Sequence, residues 1–459
     1  MSASPPTAPA PSELRTAPED SERKLSNLLR WLEEGGARFP KLRVVRQDNG
    51  ERSVLAAADI SPGEVVLQVP HSHMLTLELA RTSEIGRAVQ AGLHPDNEDL
   101  YLASFLLQEK HREGSFWTPF LDSLPEAFPH LPLFYGEAER ALLQGSLVLT
   151  LLEFQAQSLQ NDYQQLCAKV PGYERFTLGE FVWARLSVSS RLFGVKKGGL
   201  KGPCLVPLAD MLNHRRPPDV LWETSEDGRF FEMTAQNAVA AGLEVHDSYG
   251  AKSNDLMLLH FGFVTEHNER DEVFLSLGLP EGDALGAMKQ SLLALPSPTA
   301  FRPFKVPREV ANASTQLMLS FLRVARATPE EIMLLANRLI GGAKTIEPIG
   351  VPNEARVMEA LAAACEARLA GFDCSLEEDE RRLREEPLGA NARNCLLVRR
   401  EEKRVLRDYL GFAQTAQALL RLPREEFERQ AAATTSPWGW YDGYARQTLL
   451  DLVRGAPTA

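Results

Sequence analysis

LVPLADMLNHRRPPD at residues 205–219 and AGLEVHDSYGAKSNDLMLLHFGFV at residues 241–264 are the two stretches on which the interpretation of the whole chain depends. The first is an apolar run that ends near Asp210 and is followed by the adjacent pair Asn213-His214. The second has a strand pattern that ends in a Tyr249-Gly250 turn. Strand-like alternation fills the interval between them. We interpret the two stretches as two halves of one active site.

The composition limits the class of protein. The chain has 459 residues, of which 44% are hydrophobic and 24% charged, as is typical of a globular protein with two or three domains. No apolar run reaches the roughly 18 residues that a membrane span needs, and the first residues lack the basic and apolar regions of a signal peptide. We therefore expect a cytoplasmic protein that does not enter membranes. The net charge of −12 argues against unspecific nucleic-acid binding and fits a basic protein substrate better.

Several kinds of chemistry lack their sequence signals. The five cysteines are odd in number and scattered, so we expect neither a disulfide framework nor a metal site. No complete P-loop and no GxGxxG after a strand occur, which argues against nucleotide-binding domains. No GxSxG elbow supplies a nucleophilic serine.

Hydrophobic periodicity divides the chain into five predicted parts. Residues 1–22 include a stretch rich in Pro, Ala and Ser and form a predicted disordered tail. Residues 23–80 carry a helix pattern and then three short strand patterns. Residues 81–200 have apolar side chains at three- and four-residue spacing and form a predicted helical insertion, because strand pattern resumes in residues 201–278. Residues 279–450 are predicted to be helical.

Two local patterns give finer predictions. Asp48-Asn49-Gly50 separates the first two strand patterns and has the signature of a hairpin turn. LEEDERRLREE at residues 376–386 is nearly all charged, and we interpret it as the solvated face of a helix. The capping box of Ser375 and Glu378 marks the start of that helix.

Several motifs of the chain resemble the SET-domain methyltransferases of the Rubisco large-subunit methyltransferase type. The motifs that carry the resemblance are DMLNH, SYGAKSN, LLHFGFV, SFWTPFLDSLP, WARLSVSSRLF and LSFLRVARAT. They span roughly residues 25 to 445. The resemblance implies an α+β fold: a SET-type mixed β core interrupted by a helical insertion, followed by an all-α C-terminal domain that binds a protein substrate.

The resemblance also implies S-adenosylmethionine as the cofactor and a set of site residues. The residues that would hold the cofactor are Glu51, Arg52, Ser53, Arg191, Asp210, Asn213, His214 and Tyr249. Tyr249 matches the catalytic tyrosine of the family, and Arg191 matches the arginine at the carboxylate end of the cofactor. Ser53 departs from the family, which usually has glycine there. Ser190, Phe193 and Asp210 would contact the substrate.

The nature of the methyl acceptor follows from one position. Methyl transfer from a sulfonium needs no metal, but it needs a neutral nitrogen, and a desolvating channel favours the neutral form of lysine. Relatives that act on lysine have an aromatic residue two positions after the cofactor arginine, as Phe193 is here. The relative that methylates an actin histidine has asparagine there. We therefore predict a protein-lysine methyltransferase, with histidine methylation and a non-catalytic SET-fold scaffold as alternatives. We also expect the protein to be a monomer.

Overall fold

The computed structural model of the chain describes residues 18–47, 52–195, 202–308, 313–340, 345–433 and 443–455. Within it the chain divides into two compact units. Unit 1 comprises Met1–Tyr135 and Leu152–Ala251, and unit 2 comprises Gly136–Leu151 and Lys252–Ala459. The predicted turn at Asp48-Asn49-Gly50 lies outside the described residues.

The elements are numbered in chain order. The strands are β1 (Leu42–Arg46), β2 (Arg52–Ala56), β3 (Val65–Pro70), β4 (Leu75–Thr76), β5 (Leu192–Val195), β6 (Gly202–Leu205), β7 (Asn213–His214), β8 (Val220–Thr224), β9 (Phe230–Ala235), β10 (His246–Asp247), β11 (Glu272–Leu277) and β12 (Arg302–Pro307). The helices are α1 (Pro18–Glu34), α2 (Leu77–Thr82), α3 (Glu84–Gly92), α4 (Asp99–Lys110), α5 (Thr118–Ser123), α6 (Glu137–Ala141), α7 (Leu147–Lys169), α8 (Leu178–Ser189), α9 (Asn254–Phe261), α10 (Gly286–Leu292), α11 (Ala313–Ala325), α12 (Pro329–Ile340), α13 (Val351–Ala370), α14 (Leu376–Glu385), α15 (Ala390–Leu420), α16 (Arg424–Ala433), the π-helical turn Tyr444–Leu449 and α17 (Leu450–Arg454).

The first helix begins earlier than the sequence suggested. α1 begins at Pro18, so the last residues of the predicted disordered tail are helical. Proline is favoured in the first turn of a helix, and acidic residues there complement the helix dipole. Asp20 in this turn also forms an ion pair with Lys24 one turn later, with Nζ of Lys24 3.1 Å from Oδ2 of Asp20.

Unit 1 is built around short sheets that combine segments from both sides of the helical insertion. β9 lies between β3 and β8 in one antiparallel sheet, and β6 lies between β4 and β5 in another. β3 precedes the insertion and β9 follows it, so the two segments form one core, as predicted. Side chains alternate along β9, with Phe231, Met233 and Ala235 buried.

The helical insertion leads the chain back into the sheets at a defined point. α8 begins at a capping box, in which the Thr177 hydroxyl accepts from the N–H of Glu180 and the Glu180 carboxylate accepts from the N–H of Thr177. Phe176 and Phe181, on either side of this start, are both buried. α8 ends at Ser189, and the chain continues directly into β5.

Unit 2 is mostly helical around α13 and α15, which confirms the predicted α+β fold class with a helical C-terminal domain. One antiparallel strand pair departs from the helical prediction for residues after 279, and α10 lies between its two strands in the chain. β12 pairs antiparallel with β11, and its Phe304 and Val306 are buried while their neighbours are more exposed. Among the described residues, no helix has both the length and the apolar character that crossing a membrane requires.

The predicted solvated face of α14 is only partly solvated. Leu376 and Asp379 are buried, while the other side chains of this helix are partly or fully exposed. Asp379 accepts an ion pair from Lys403 at 2.6 Å and another from Arg399, both on α15. Arg399 and Lys403 are four residues apart and so lie on one helix face. The charged residues 376–386 therefore contribute to a buried ion cluster, which composition did not predict.

Candidate active site

The pair Asn213-His214 forms the short strand β7, which lies beside β10. Because the two strands run parallel, Asn213 lies opposite His246, and His214 lies opposite Asp247. The backbone then reaches Tyr249, whose N–H donates to Nδ1 of His214 at 2.9 Å. The two stretches that the sequence analysis joined are thus adjacent in space.

The Tyr249 side chain is fixed by a backbone contact. Its hydroxyl donates to the carbonyl of Leu212 at 2.9 Å, and its ring lies 5.3 Å from the ring of His214. Burial raises the pKa of Tyr249 to about 12, because the phenolate would be poorly solvated. The phenol is therefore protonated at neutral pH and can orient a ligand by hydrogen bonding, but it is not a base.

The Asn213 carboxamide is held by two acceptors. Its Nδ2 donates to the carbonyl of Arg52 at 2.9 Å and to Oε1 of Glu244 at 2.7 Å. Nε2 of His246 lies 3.5 Å from Oε2 of Glu244, and Nδ1 of His246 lies 3.0 Å from Oδ2 of Asp219. Sequence analysis missed Glu244, His246 and Asp219. The alternation of two polar residues, Glu244 and His246, along one extended segment was the available signal.

Arg191 and Asp210 form a buried ion pair. Nη1 of Arg191 donates to the carbonyl of Asp210 at 3.0 Å and to its Oδ2 at 3.2 Å, and the Asp210 side chain is 1% exposed. Burial raises the pKa of Asp210, while Arg191 opposes that shift. Among the described residues, neither Nε of Arg191 nor Oδ1 of Asp210 has a hydrogen-bond partner. A donor and an acceptor are thus left over at this ion pair.

The predicted cofactor strand contributes through its backbone. The Arg52 guanidinium donates to the carbonyl of Ser123 at 2.8 Å, so it is the Arg52 carbonyl that contacts Asn213. Ser53 is buried, and its hydroxyl accepts from the Gln47 amide at 3.1 Å. Glu51 lies outside the described residues.

An aromatic wall surrounds the predicted substrate residue Phe193. Its ring lies 5.2 Å from the ring of Phe231 and 5.6 Å from that of Trp222, and the latter two rings are stacked. The Ser190 hydroxyl donates to the carbonyl of Leu186 at 2.7 Å, within its own helix end. The structure therefore gives the Phe193 position a hydrocarbon surface. In the described part of the chain, no group of three or more His, Cys, Asp or Glu side chains could hold a metal ion.

Comparisons with known proteins give similarities in both parts of the chain. Residues 280–406 match the model of the Rubisco LSMT substrate-binding family. The actin-histidine N-methyltransferases of Mus musculus and Homo sapiens are each 28% identical over 450 residues, which cover 93% of this chain and 74% of theirs. The structure of Rubisco LSMT bound to AdoMet has a TM-score of 0.71 at 25% identity and covers 90% of this chain and 97% of that one. The SET domain of LSMT bound to lysine and AdoHcy has a TM-score of 0.73 at 24% identity, over 87% of this chain and 93% of that one.

Fold and comparisons together define an S-adenosylmethionine-dependent protein methyltransferase. Within that class, the chain resembles the SET-domain proteins of the Rubisco LSMT type, and its residues 280–406 match the substrate-binding domain of that family. The resemblance, the cofactor and the protein substrate inferred from the sequence are confirmed, and the scaffold alternative is not supported.

The residues present fit the chemistry of this cofactor. S-adenosylmethionine carries an ammonium group and a carboxylate at its amino-acid end. The buried Nε of Arg191 is a donor that suits a carboxylate, and Oδ1 of Asp210 is an acceptor that suits an ammonium group. The individual roles of the predicted site residues remain predictions.

Proposed function

We propose that the chain transfers a methyl group to a side-chain nitrogen of a protein, and that histidine is the first candidate for this acceptor. Curated relatives that cover 93% of the chain are actin-histidine N-methyltransferases. They support the histidine alternative more than the lysine that the sequence analysis favoured. At 28% identity they do not carry over a particular target protein.

Lysine is the second candidate, and one local feature supports it. Phe193 packs against Phe231 and Trp222, and the Phe193 ring itself offers no hydrogen bond to an imidazole. A hydrocarbon wall does suit the alkyl part of a lysine side chain, and it disfavours the charged ammonium form by desolvation. Lysine must lose its proton before transfer because its ordinary pKa is about 10.4.

The proposed roles of the site residues follow from their contacts. When bound, S-adenosylmethionine supplies an electrophilic methyl group. We assign Arg191 and Asp210 to its amino-acid end, and Asn213 and His214 to holding it beside Tyr249. The Tyr249 phenol stays protonated and is fixed by the Leu212 carbonyl, so it orients the acceptor nitrogen instead of deprotonating it. The wall around Phe193 excludes water from the acceptor.

The predicted cytoplasmic location, the monomeric state and the absence of nucleic-acid and membrane partners are further proposals. Cell fractionation tests the location, and light scattering coupled to gel filtration tests the oligomeric state.

The acceptor can be identified with labelled cofactor. Purified protein is incubated with S-adenosylmethionine carrying a labelled methyl group and a proteome lysate, and the labelled peptides are sequenced by mass spectrometry. Label on histidine would support the first candidate, and label on lysine alone would overturn it. Replacing the labelled residue in the target, His→Ala or Lys→Arg, must abolish labelling. A chain that labels no protein would contradict the proposed function.

A further inference from the structure

We infer that Glu244 is a positioning residue of the cofactor site. Together with the Arg52 carbonyl, it holds the Asn213 carboxamide so that the carbonyl oxygen of Asn213 is presented to the cofactor. His246 and Asp219 in turn hold Glu244. This inference rests on the proposed role of Asn213 in binding S-adenosylmethionine.

The orientation of the Asn213 amide follows from its two neighbours. A carboxamide nitrogen carries two hydrogens, and its oxygen only accepts. The Arg52 carbonyl, at 2.9 Å, accepts only, and so does the Glu244 carboxylate, at 2.7 Å. Both N–H groups are therefore used, which settles the assignment of nitrogen and oxygen from the hydrogen-bond network. The Asn213 carbonyl oxygen is left as the ligand-directed acceptor.

Glu244 is itself kept in place by the imidazole ring of His246. Oε2 of Glu244 lies 3.5 Å from Nε2 of His246. On the other side of the ring, Nδ1 of His246 lies 3.0 Å from Oδ2 of Asp219, which also accepts from the backbone N–H of His246 at 2.9 Å. Asp219 is 3% exposed and is paired with Arg215 as well. The ring of His246 is thus anchored at its buried end and limits the rotation of Glu244 at the other.

The orientation of the Asn213 amide decides which group of the ligand it can contact. A carbonyl oxygen accepts from an N–H or an O–H donor. S-adenosylmethionine carries two kinds of N–H donor, the ammonium group of its methionine part and the 6-amino group of its adenine, and its other donors are the ribose hydroxyls. A free asparagine could turn its amide over and present N–H groups, which would repel either donor. Glu244 prevents that rotation, so its removal should weaken cofactor binding without touching the reacting atoms.

Calorimetric titration of the full chain with S-adenosylmethionine tests this. Glu244→Ala should raise the Kd about tenfold, because one charge-assisted hydrogen bond that orients Asn213 is lost. Glu244→Gln should stay within about threefold of the wild type, since a glutamine carbonyl oxygen can accept the same N–H. Glu64→Ala is the matched control: the Glu64 side chain is 31% exposed against 27% for Glu244, and it pairs with Lys41 elsewhere in unit 1. It should leave the Kd unchanged.

Two analogues show which donor Asn213 meets. One is S-adenosylhomocysteine without its α-amino group, and the other has hypoxanthine in place of adenine and so lacks the 6-amino group. The loss caused by Glu244→Ala should disappear for the analogue that lacks the partner of Asn213. A loss of equal size for both analogues would overturn the inference.

Other outcomes also decide the matter. Wild-type affinity in Glu244→Ala, or equal weakening in Glu244→Gln, would contradict the positioning role. If Glu244→Ala fails to fold, as judged by circular dichroism, Asn213→Asp is compared with Asn213→Asp/Glu244→Gln. The added Glu244→Gln change replaces the carboxylate that faces position 213 by an amide that can donate, so it should restore part of the affinity for S-adenosylmethionine. No recovery of affinity would contradict the positioning role. A wild type that binds no S-adenosylmethionine would instead contradict the proposed cofactor site.

Discussion

Asp247 lies in β10, opposite His214, and is 3% exposed. Burial raises the pKa of its carboxyl group to about 6, although the N–H of Ser248 partly stabilises the charged form. In the unfolded chain the pKa is about 3.9. As the pH rises from about 4 to about 6, the unfolded state therefore loses this proton first, and the free energy of unfolding falls. Above that range both states are ionised and the loss is constant.

Asp247→Asn should remove this pH-dependent loss. Asparagine keeps an acceptor for the Ser248 N–H but cannot ionise, so the variant should be more stable by on the order of 1–3 kcal/mol at pH 8 and no more stable at pH 4. Urea unfolding of both proteins at pH 4, 6 and 8 measures the difference. The control is Asp227→Asn, at an exposed carboxyl whose pKa is lowered to about 2 by Ser225 and Arg229, and it should give no gain at pH 8. A gain that is the same at every pH would contradict an ionisation cost at Asp247.

The role of the tyrosine hydroxyl is also decided at a single residue. Tyr249→Phe keeps the ring beside His214 but loses the hydrogen bond to the Leu212 carbonyl. We expect turnover of labelled methyl groups to fall at least about tenfold, with the Kd of S-adenosylmethionine nearly unchanged, because the hydroxyl acts on the acceptor in the transition state. Tyr163→Phe is the control, since the Tyr163 hydroxyl likewise donates to a carbonyl, that of Phe176 at 2.8 Å. Equal turnover in the two variants would remove Tyr249 from catalysis.

At the scale of elements, local sequence patterns predicted the strands that pair with a strand close to them in the chain. β1 and β2 pair antiparallel with Leu42 opposite Ala56, as the two strand patterns around a turn predicted. β12 was missed because prolines at both sides of its buried Phe304 and Val306 obscure a short strand, and its partner β11 lies far back in the chain. The candidate site was predictable only through resemblance. Periodicity carries no information on contacts such as that between Asn213 and Glu244.

The aromatic wall around Phe193 on β5 permits a test of which residue type accepts the methyl group. Phe193→Asn adds an amide that can hydrogen-bond an imidazole and removes the hydrocarbon surface that suits lysine. We expect the ratio of histidine to lysine methylation, measured by mass spectrometry on matched peptides, to rise about tenfold or more, since one hydrogen bond in a desolvated site is worth that much. The control is Phe230→Asn on β9, because the Phe230 ring contacts Arg229 instead of this wall. An unchanged ratio would show that Phe193 does not set specificity.

At the scale of the whole molecule, unit 2 contains charges that no amphipathic pattern predicts. Arg323 on α11 is 1% exposed, and its Nε and Nη2 donate to the Glu354 carboxylate on α13 at 2.8 and 2.9 Å. Nη2 also lies 3.0 Å from the hydroxyl of Tyr444 in the π-helical turn. Sequence reasoning places arginine and glutamate on solvated faces. In unit 2, Arg323 and Glu354 are buried because each charge has its partner inside the core. With Tyr444 they connect three segments that are distant in the chain.

Removal of one partner should therefore cost more than removal of both. Arg323→Met leaves Glu354 buried without a counter-charge and should lower the free energy of unfolding by about 3–5 kcal/mol. Arg323→Met/Glu354→Leu should recover part of that loss, because no unpaired charge remains. Chemical unfolding followed by tryptophan fluorescence and circular dichroism measures both.

The control Arg381→Met removes an arginine on α14 that is 44% exposed, and its unfolding midpoint should stay close to that of the wild type. Below the unfolding transition, S-adenosylmethionine should still bind to all three variants, since the predicted cofactor residues lie in unit 1. A double variant as unstable as Arg323→Met would show that packing, and not the unpaired Glu354, sets the cost.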